Sequence, residues 1–166
     1  IVWLLVLMIS DMISGGILGK FQNALTALPI LITFIPMLTD TGGNAGSQSS
    51  TLVIRGLALH EIEFKDFFKI LWKEIRVALI CGFVLGLFNY IRLVIQYPGH
   101  EMVAVTVAIA MIFTVLMAKA IGGVLPLIAT KFKMDPALMA SPLITTIVDA
   151  ASLLIYLNIA RLLLNV

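Results

Sequence analysis

In 166 residues the chain is 61% hydrophobic and only 12% charged, with a mean hydropathy of +1.11, whereas ordinary globular domains are about 45–50% apolar and about 25% charged. A soluble domain of this length has too little interior for so much apolar surface, and a net charge of +2 is too small to argue for nucleic acid. The single cysteine, Cys81 in the apolar run 77–87, excludes a disulfide framework and a thiolate metal cluster.

Charged residues cluster between long stretches nearly free of them, as spans and loops do in a membrane protein. Five spans of about 20 or more mostly apolar residues are predicted, near 2–24, 25–59, 72–95, 102–130 and 137–164. The predicted fold is therefore an all-α integral membrane domain, one bundle of five transmembrane helices with no repeat or flexible linker. Only the polar patch 20–23 separates the first two spans, which predicts a tight helical hairpin. The stretch 61–69 alternates acidic, aromatic and basic residues and reads as amphipathic, suited to the membrane surface. The chain opens on Ile1-Val2-Trp3 without signal-peptide features, so it is expected to be part of something longer.

Lys and Arg are retained on the cytoplasmic side of membranes. Arg55, Lys65, Lys69, Lys73 and Arg76 flank the second-to-third connection, and Lys131 and Lys133 flank the fourth-to-fifth. Only Lys20, Arg92 and Arg161 lie near span ends on the other face, and Lys119 is left inside the fourth span. This bias predicts a multi-pass protein of the cell membrane with a cytoplasmic N-terminus and an outer C-terminus. Gly15 and Gly19, and Gly82 and Gly86, have GxxxG spacing and are read as helix-packing positions.

Two segments carry chemistry. In the second span, residues 36–50 interrupt apolar sequence with Asp40, Gly42, Gly43, Asn44, Gly46, Ser47, Gln48 and neighbouring hydroxyls. At membrane depth such a segment is tolerated only when buried in protein or lining water, which describes a pore wall. In the fifth span Asp149 sits well inside the apolar run. A carboxylate there costs about 2.5–3.5 kcal/mol on insertion scales and marks an ion pathway by default, unless Lys119, Arg92 or a hydroxyl pairs it for structure. Ser141, Thr145, Asp149, Ser152 and Tyr156 recur at spacings of three and four and form one polar stripe on one helical face. Asp11, beside Ser10 and Ser14 in the first span, is a weaker candidate of the same kind. His60 and His100 lie far apart at span ends and make no transition-metal pair.

The run from Pro36 through Gln48, followed by Asp135-Pro136-Ala137 and by Pro142 through Asp149, closely resembles the transmembrane domain of the MgtE magnesium channel family. The Gly-Gly-Asn-x-Gly-x-Gln signature stands at Gly42, Gly43, Asn44, Gly46 and Gln48. The resemblance covers all five spans. It implies a homodimer in membrane lipid, with one pore on the two-fold axis walled by the second and fifth spans of both subunits. It further implies that Asp149 of each chain holds the transported hydrated magnesium ion, helped by the main-chain carbonyl of Thr145, and that Asp135 takes part in binding regulatory magnesium. Gly42, Gly43, Asn44, Gly46, Gln48, Ser141 and Ser152 would line the pore, with Asp11 and Asp40 as lesser candidates. The family's cytoplasmic N-terminal and CBS domains are expected in a longer parent chain, and Ser141 stands where some relatives carry asparagine.

Passive conduction is thus the function expected from sequence, with an ion-coupled carrier of magnesium, manganese or cobalt as the alternative. The carrier lacks support from any inverted repeat. An enzyme is not expected: Asp40-Thr41-Gly42 matches the aspartic-protease triplet, but that chemistry needs a second carboxylate sharing the proton, and no second motif exists.

Overall fold

Within hydrocarbon a single chain segment can satisfy its own backbone only as a helix. The computed structural model describes the backbone of residues 1–166 and the side chains of all but 2, 3 and 137–141, and every regular element in it is helical. In order these are α1 (Val2–Lys20), α2 (Gln22–Ala27), a 3-10 helix (Pro29–Phe34), α3 (Ile35–Ala58), a short 3-10 turn (Phe64–Asp66), α4 (Phe67–Gln96), α5 (Glu101–Lys131) and α6 (Pro136–Leu164). Three described segments are long and apolar enough to cross a bilayer, Phe64–Gln96, Glu101–Lys131 and Pro142–Leu164.

The stretch 25–59 is not the single helix expected from its apolarity. Pro29 has no amide hydrogen and disfavours helical geometry in the residue before it. Leu28 accordingly turns extended (φ -132°, ψ 80°) and ends α2. The 3-10 helix follows, and α3 begins afresh with Pro36 in its first turn, where a missing amide hydrogen is harmless. The tight hairpin between the first two spans is not formed either, because α1 packs chiefly against α6. The stretch 61–69 is also no separate surface helix. The Glu63 amide donates to Asp66 Oδ2 (3.1 Å) in a capping box, and α4 runs on from Phe67.

The centre of the fold is α5, which packs against α3, α4 and α6, while α3 also packs against α6. Leu38, Val107, Val115, Ile144, Val148 and Leu157 form the middle of the core. Glycine makes the close approaches. A Cβ on Gly122 would overlap the Gly46 carbonyl oxygen, and one on Gly86 would come within 3.0 Å of the Ala108 oxygen. Around Gly15, Gly16 and Gly19 nothing lies within 4 Å of a Cβ, so the GxxxG spacing of α1 is not used within the chain. Leu79, Ile80, Phe83, Val84 and Phe88 of α4 are exposed and form an apolar outer face suited to lipid.

The two ends of the bundle are built differently. At one, Lys131 Nζ lies 4.6 Å above the Phe64 ring centroid and Val53, Ile70 and Leu127 cluster together. The α3–α4 and α5–α6 connections therefore share that end. Both preceding helices stop on a left-handed residue, His60 (φ 57°) and Lys133 (φ 58°), with the following amide bonded five residues back in each case, Glu61 to Gly56 and Met134 to Ala129. At the other end Gly99 turns α4 into α5 with φ 87°. Glu101 opens α5, and its carboxyl accepts from the Gly99 amide at 3.1 Å. There Phe34 meets Tyr97 edge-on, and the buried Tyr156 hydroxyl donates to the Leu31 carbonyl at 2.9 Å.

These contacts predict a contrast between two glycines. Gly122→Ala must push α5 away from the α3 backbone and should cost about 1–3 kcal/mol, whereas Gly16→Ala meets empty space and should leave stability equal or slightly higher. Thermal denaturation of the two variants in detergent reads the difference, and equal melting temperatures would contradict the packing described.

Candidate functional site

One face of α3 is polar and open, and the opposite face is packed against neighbouring helices. Pro36, Asp40, Gly43 and Ser47 recur at spacings of four, three and four, so they share a face. Together with Met37, Thr39, Asn44 and, from α6, Thr145 and Asp149, they line an open groove of about 810 Å³. Its floor is shaped by Gly43, where a Cβ would stand 3.6 Å from Thr145 Cγ2 and 4.0 Å from Asp149 Oδ1. The Asp149 carboxylate thus lies across from α3 backbone rather than from another side chain. Thr39 Oγ1 donates to the Ile35 carbonyl at 3.1 Å and Thr145 Oγ1 to the Pro142 carbonyl at 3.0 Å.

The glycine-rich signature serves two purposes. Gly43 and Asn44 line the groove, but Gly42 and Gly46 do not. A Cβ on Gly42 would come within 2.8 Å of Val148 Cγ1 and 2.9 Å of Thr114 Cγ2, and one on Gly46 within 2.8 Å of Ile144 Cγ2. They are contact positions that seat α3 on α5 and α6. Gln48 is exposed and is not among the groove-lining residues.

The polar stripe of α6 divides in the same way. Thr145 and Asp149 reach the groove, while Ser152 is fully buried beside Gly42 and Tyr156 is fully buried under the 3-10 helix. Ser152 therefore belongs to the helix packing and not to the groove wall. The face of α6 is continuous, but what lies opposite it changes along the helix. Ser141 falls outside the described residues. Asp135 is exposed at the α5–α6 connection and is not among the groove-lining residues.

The charges are sorted. Asp40 of α3 and Asp149 of α6 line the groove together, while Asp11 of α1 is exposed and is not among the groove-lining residues. Neither basic residue that the sequence offers as a structural partner for Asp149 is bonded to it. Lys119 donates to Ser49 Oγ (3.2 Å). Arg92 donates to Asn89 Oδ1 from Nε (3.1 Å) and Nη2 (3.0 Å). Among the described residues the one ion pair within 4.0 Å is Lys65–Glu63 at 2.9 Å, in the α3–α4 connection, where Glu63 raises the Lys65 pKa. Among those residues no group of three His, Cys, Asp or Glu side chains is placed to hold a metal ion. Within a single chain, then, the described side chains form an open, acidic groove rather than a cage.

Glu74 was not legible as a buried residue from its place in a charged stretch, yet it is only 3% exposed. The signal was its register. Ile70, Glu74, Ala78, Gly82 and Gly86 recur every four residues along the buried stripe of α4.

Residues 35–159 match the family model MgtE, described as a divalent cation transporter. Over 163 residues, 98% of this chain and 36% of the relative, the sequence is 36% identical to the magnesium transporter MgtE of Thermus thermophilus. It is 36% identical to the same-named protein of Bacillus subtilis over 95% of this chain and 35% of the relative. For that of Enterococcus faecalis the figures are 31%, 96% and 35%. The chain spans about a third of the length of these curated relatives. With a family model covering most of its length, the chain belongs to the MgtE family of divalent cation transporters.

Proposed function

We propose that this chain is the ion-conducting membrane domain of a magnesium channel, in which two copies pair about a two-fold axis and the α3–α6 grooves face one another to form the pore. The observation that carries the reading is the position of Asp149 in an open groove opposite Gly43, with Asp40 in the same lining and bonded to neither Lys119 nor Arg92. A structural carboxylate in a membrane helix would be paired. The family membership and the names of the relatives, all magnesium transporters, support the same ion.

Magnesium sheds water reluctantly and is usually held by one or two carboxylates through an octahedral shell of oxygens. Two Asp149 side chains across a shared axis supply that demand. They repel each other when the site is empty, and a divalent ion relieves the repulsion more than a monovalent one does, which favours charge two before size matters. Asn44, Ser47 and the groove hydroxyls contact the hydration shell rather than the ion, so binding stays weak enough for release. Asp11 and Asp40 add negative potential toward the same groove and raise the local cation concentration. The five-span topology, with the basic α3–α4 and α5–α6 connections in the cytoplasm and the cytoplasmic domains in a longer parent chain, belongs to this reading, as does regulatory magnesium at Asp135.

Two outcomes test it. Asp149→Asn removes one negative charge from each copy while keeping side-chain shape, so magnesium uptake into liposomes should fall by about an order of magnitude or more with the melting temperature little changed. Normal uptake per folded protein would take Asp149 out of the ion path, and single-channel recording separates conduction from a carrier, which gives no unitary openings. For orientation, cysteines introduced singly at Lys65 and Lys133 in a Cys81→Ala background should be shielded from an impermeant thiol reagent in intact cells, while one at Gly99 should react. Labelling at both basic positions would reverse the topology.

A further inference from the structure

Behind the groove, on the opposite side of α3, lies a buried chain of charged and polar groups. Lys119 of α5 is 7% exposed, Glu74 of α4 3% and Ser49 of α3 0%. The Lys119 ammonium donates to Ser49 Oγ at 3.2 Å, and the Ser49 hydroxyl donates to Glu74 Oε2 at 2.6 Å. One hydroxyl, accepting from the cation and donating to the anion, links three helices. Glu74 fits there because Gly123 has no side chain: a Cβ at that position would stand 2.8 Å from Glu74 Cγ.

We propose that Glu74, Ser49 and Lys119 are positioning residues for transport, a buried polar relay that sets the rotation of α3 and so decides which of its residues face the groove. The inference rests on the groove being the ion path. Its physical ground is that the centre of the α3–α5 contact is made of backbone and apolar groups. Gly46 meets Gly122 and the Ala118 backbone, a contact that sets how near the two helices lie, whereas the Ser49 hydroxyl adds directional bonds that hold their rotation. Ser49 stands about 200° around the helix from the groove residue Ser47. Turning α3 by one residue would carry its hydroxyl away from both charges and break two charge-assisted hydrogen bonds inside the protein, which is costly where no water replaces them. Fixing register is the best-attested use of such buried polar groups. The bonds that join the relay run between Lys119, Ser49 and Glu74, none of which lines the groove, so it acts on the ion through the position of α3.

The test uses the chain in liposomes with two independent readings. One is the magnesium concentration that half-saturates uptake and the discrimination against sodium. The other, in a Cys81→Ala background, is the rate at which a water-soluble thiol reagent modifies a cysteine introduced by Ser47→Cys. Ser49→Ala removes the bridge, Ser49→Thr keeps a hydroxyl, and the double variant Glu74→Met with Lys119→Met removes both charges without leaving either unpaired. Ser49→Ala and the double variant should raise the half-saturating concentration about threefold to tenfold, weaken discrimination against sodium and change the modification rate. Ser49→Thr should stay near wild type in all three. If Ser49→Ala does not fold, the double variant decides. A folded double variant with wild-type half-saturation, discrimination and modification rate overturns the proposal, because the relay would then serve stability alone. Wild-type chain that moves no magnesium would sink the transport reading instead. The relay would then stand or fall on the modification rate, which needs no transport.

Discussion

Gly122 lies so close to the Gly46 carbonyl oxygen that no side chain fits between α3 and α5, and the placement of the groove follows from that contact. Lipid tails are as apolar as leucine, so helices in a membrane gain little by hiding apolar side chains from their surroundings. They associate through close packing and polar contacts. Here α3 presents Gly42, Ala45, Gly46 and Ser49 to its neighbours as a buried back face. Once that face is committed, the opposite side, with Asp40, Gly43, Asn44 and Ser47, has only the groove to face.

Charge is divided along the same line. Behind α3 a lysine and a glutamate are buried and bonded through one hydroxyl. In front of it Asp149 shares the groove with Asp40. The cation most able to neutralise the groove from within the membrane, Lys119, is thereby held on the far side of the helix. Arg92 is held by Asn89, with its guanidinium 3.6 Å from the sulfur of the groove residue Met37. A groove that binds its own basic residue has no use for a passing ion, and the internal bonding of these two residues keeps the acidic surface available.

The break at Leu28–Pro29 has a role beyond ending a helix. It lets the 3-10 segment 29–34 fold over the end of α6, where the Leu31 carbonyl accepts from Tyr156 and Phe34 packs on Tyr97. One face of α6 consequently changes from groove wall at Thr145 and Asp149 to protein interior at Ser152 and Tyr156.

Much of this was written in the sequence. Its apolarity determined a helical membrane domain, the run 36–50 and the carboxylate Asp149 pointed to residues that line the groove, and the signature at Gly42 to Gln48 pointed to the family. These are properties of composition and local order, and they survive whatever packs against them. Tertiary structure decided which glycines pack and which line the groove, that α1 lies on α6, that Ser152 and Tyr156 are interior, and that Glu74 belongs to the core. Helical periodicity says which residues share a face, but which face meets another helix depends on how closely two backbones can approach. At Gly46 and Gly122 that distance is set by two residues 76 positions apart, too far for any local pattern to relate.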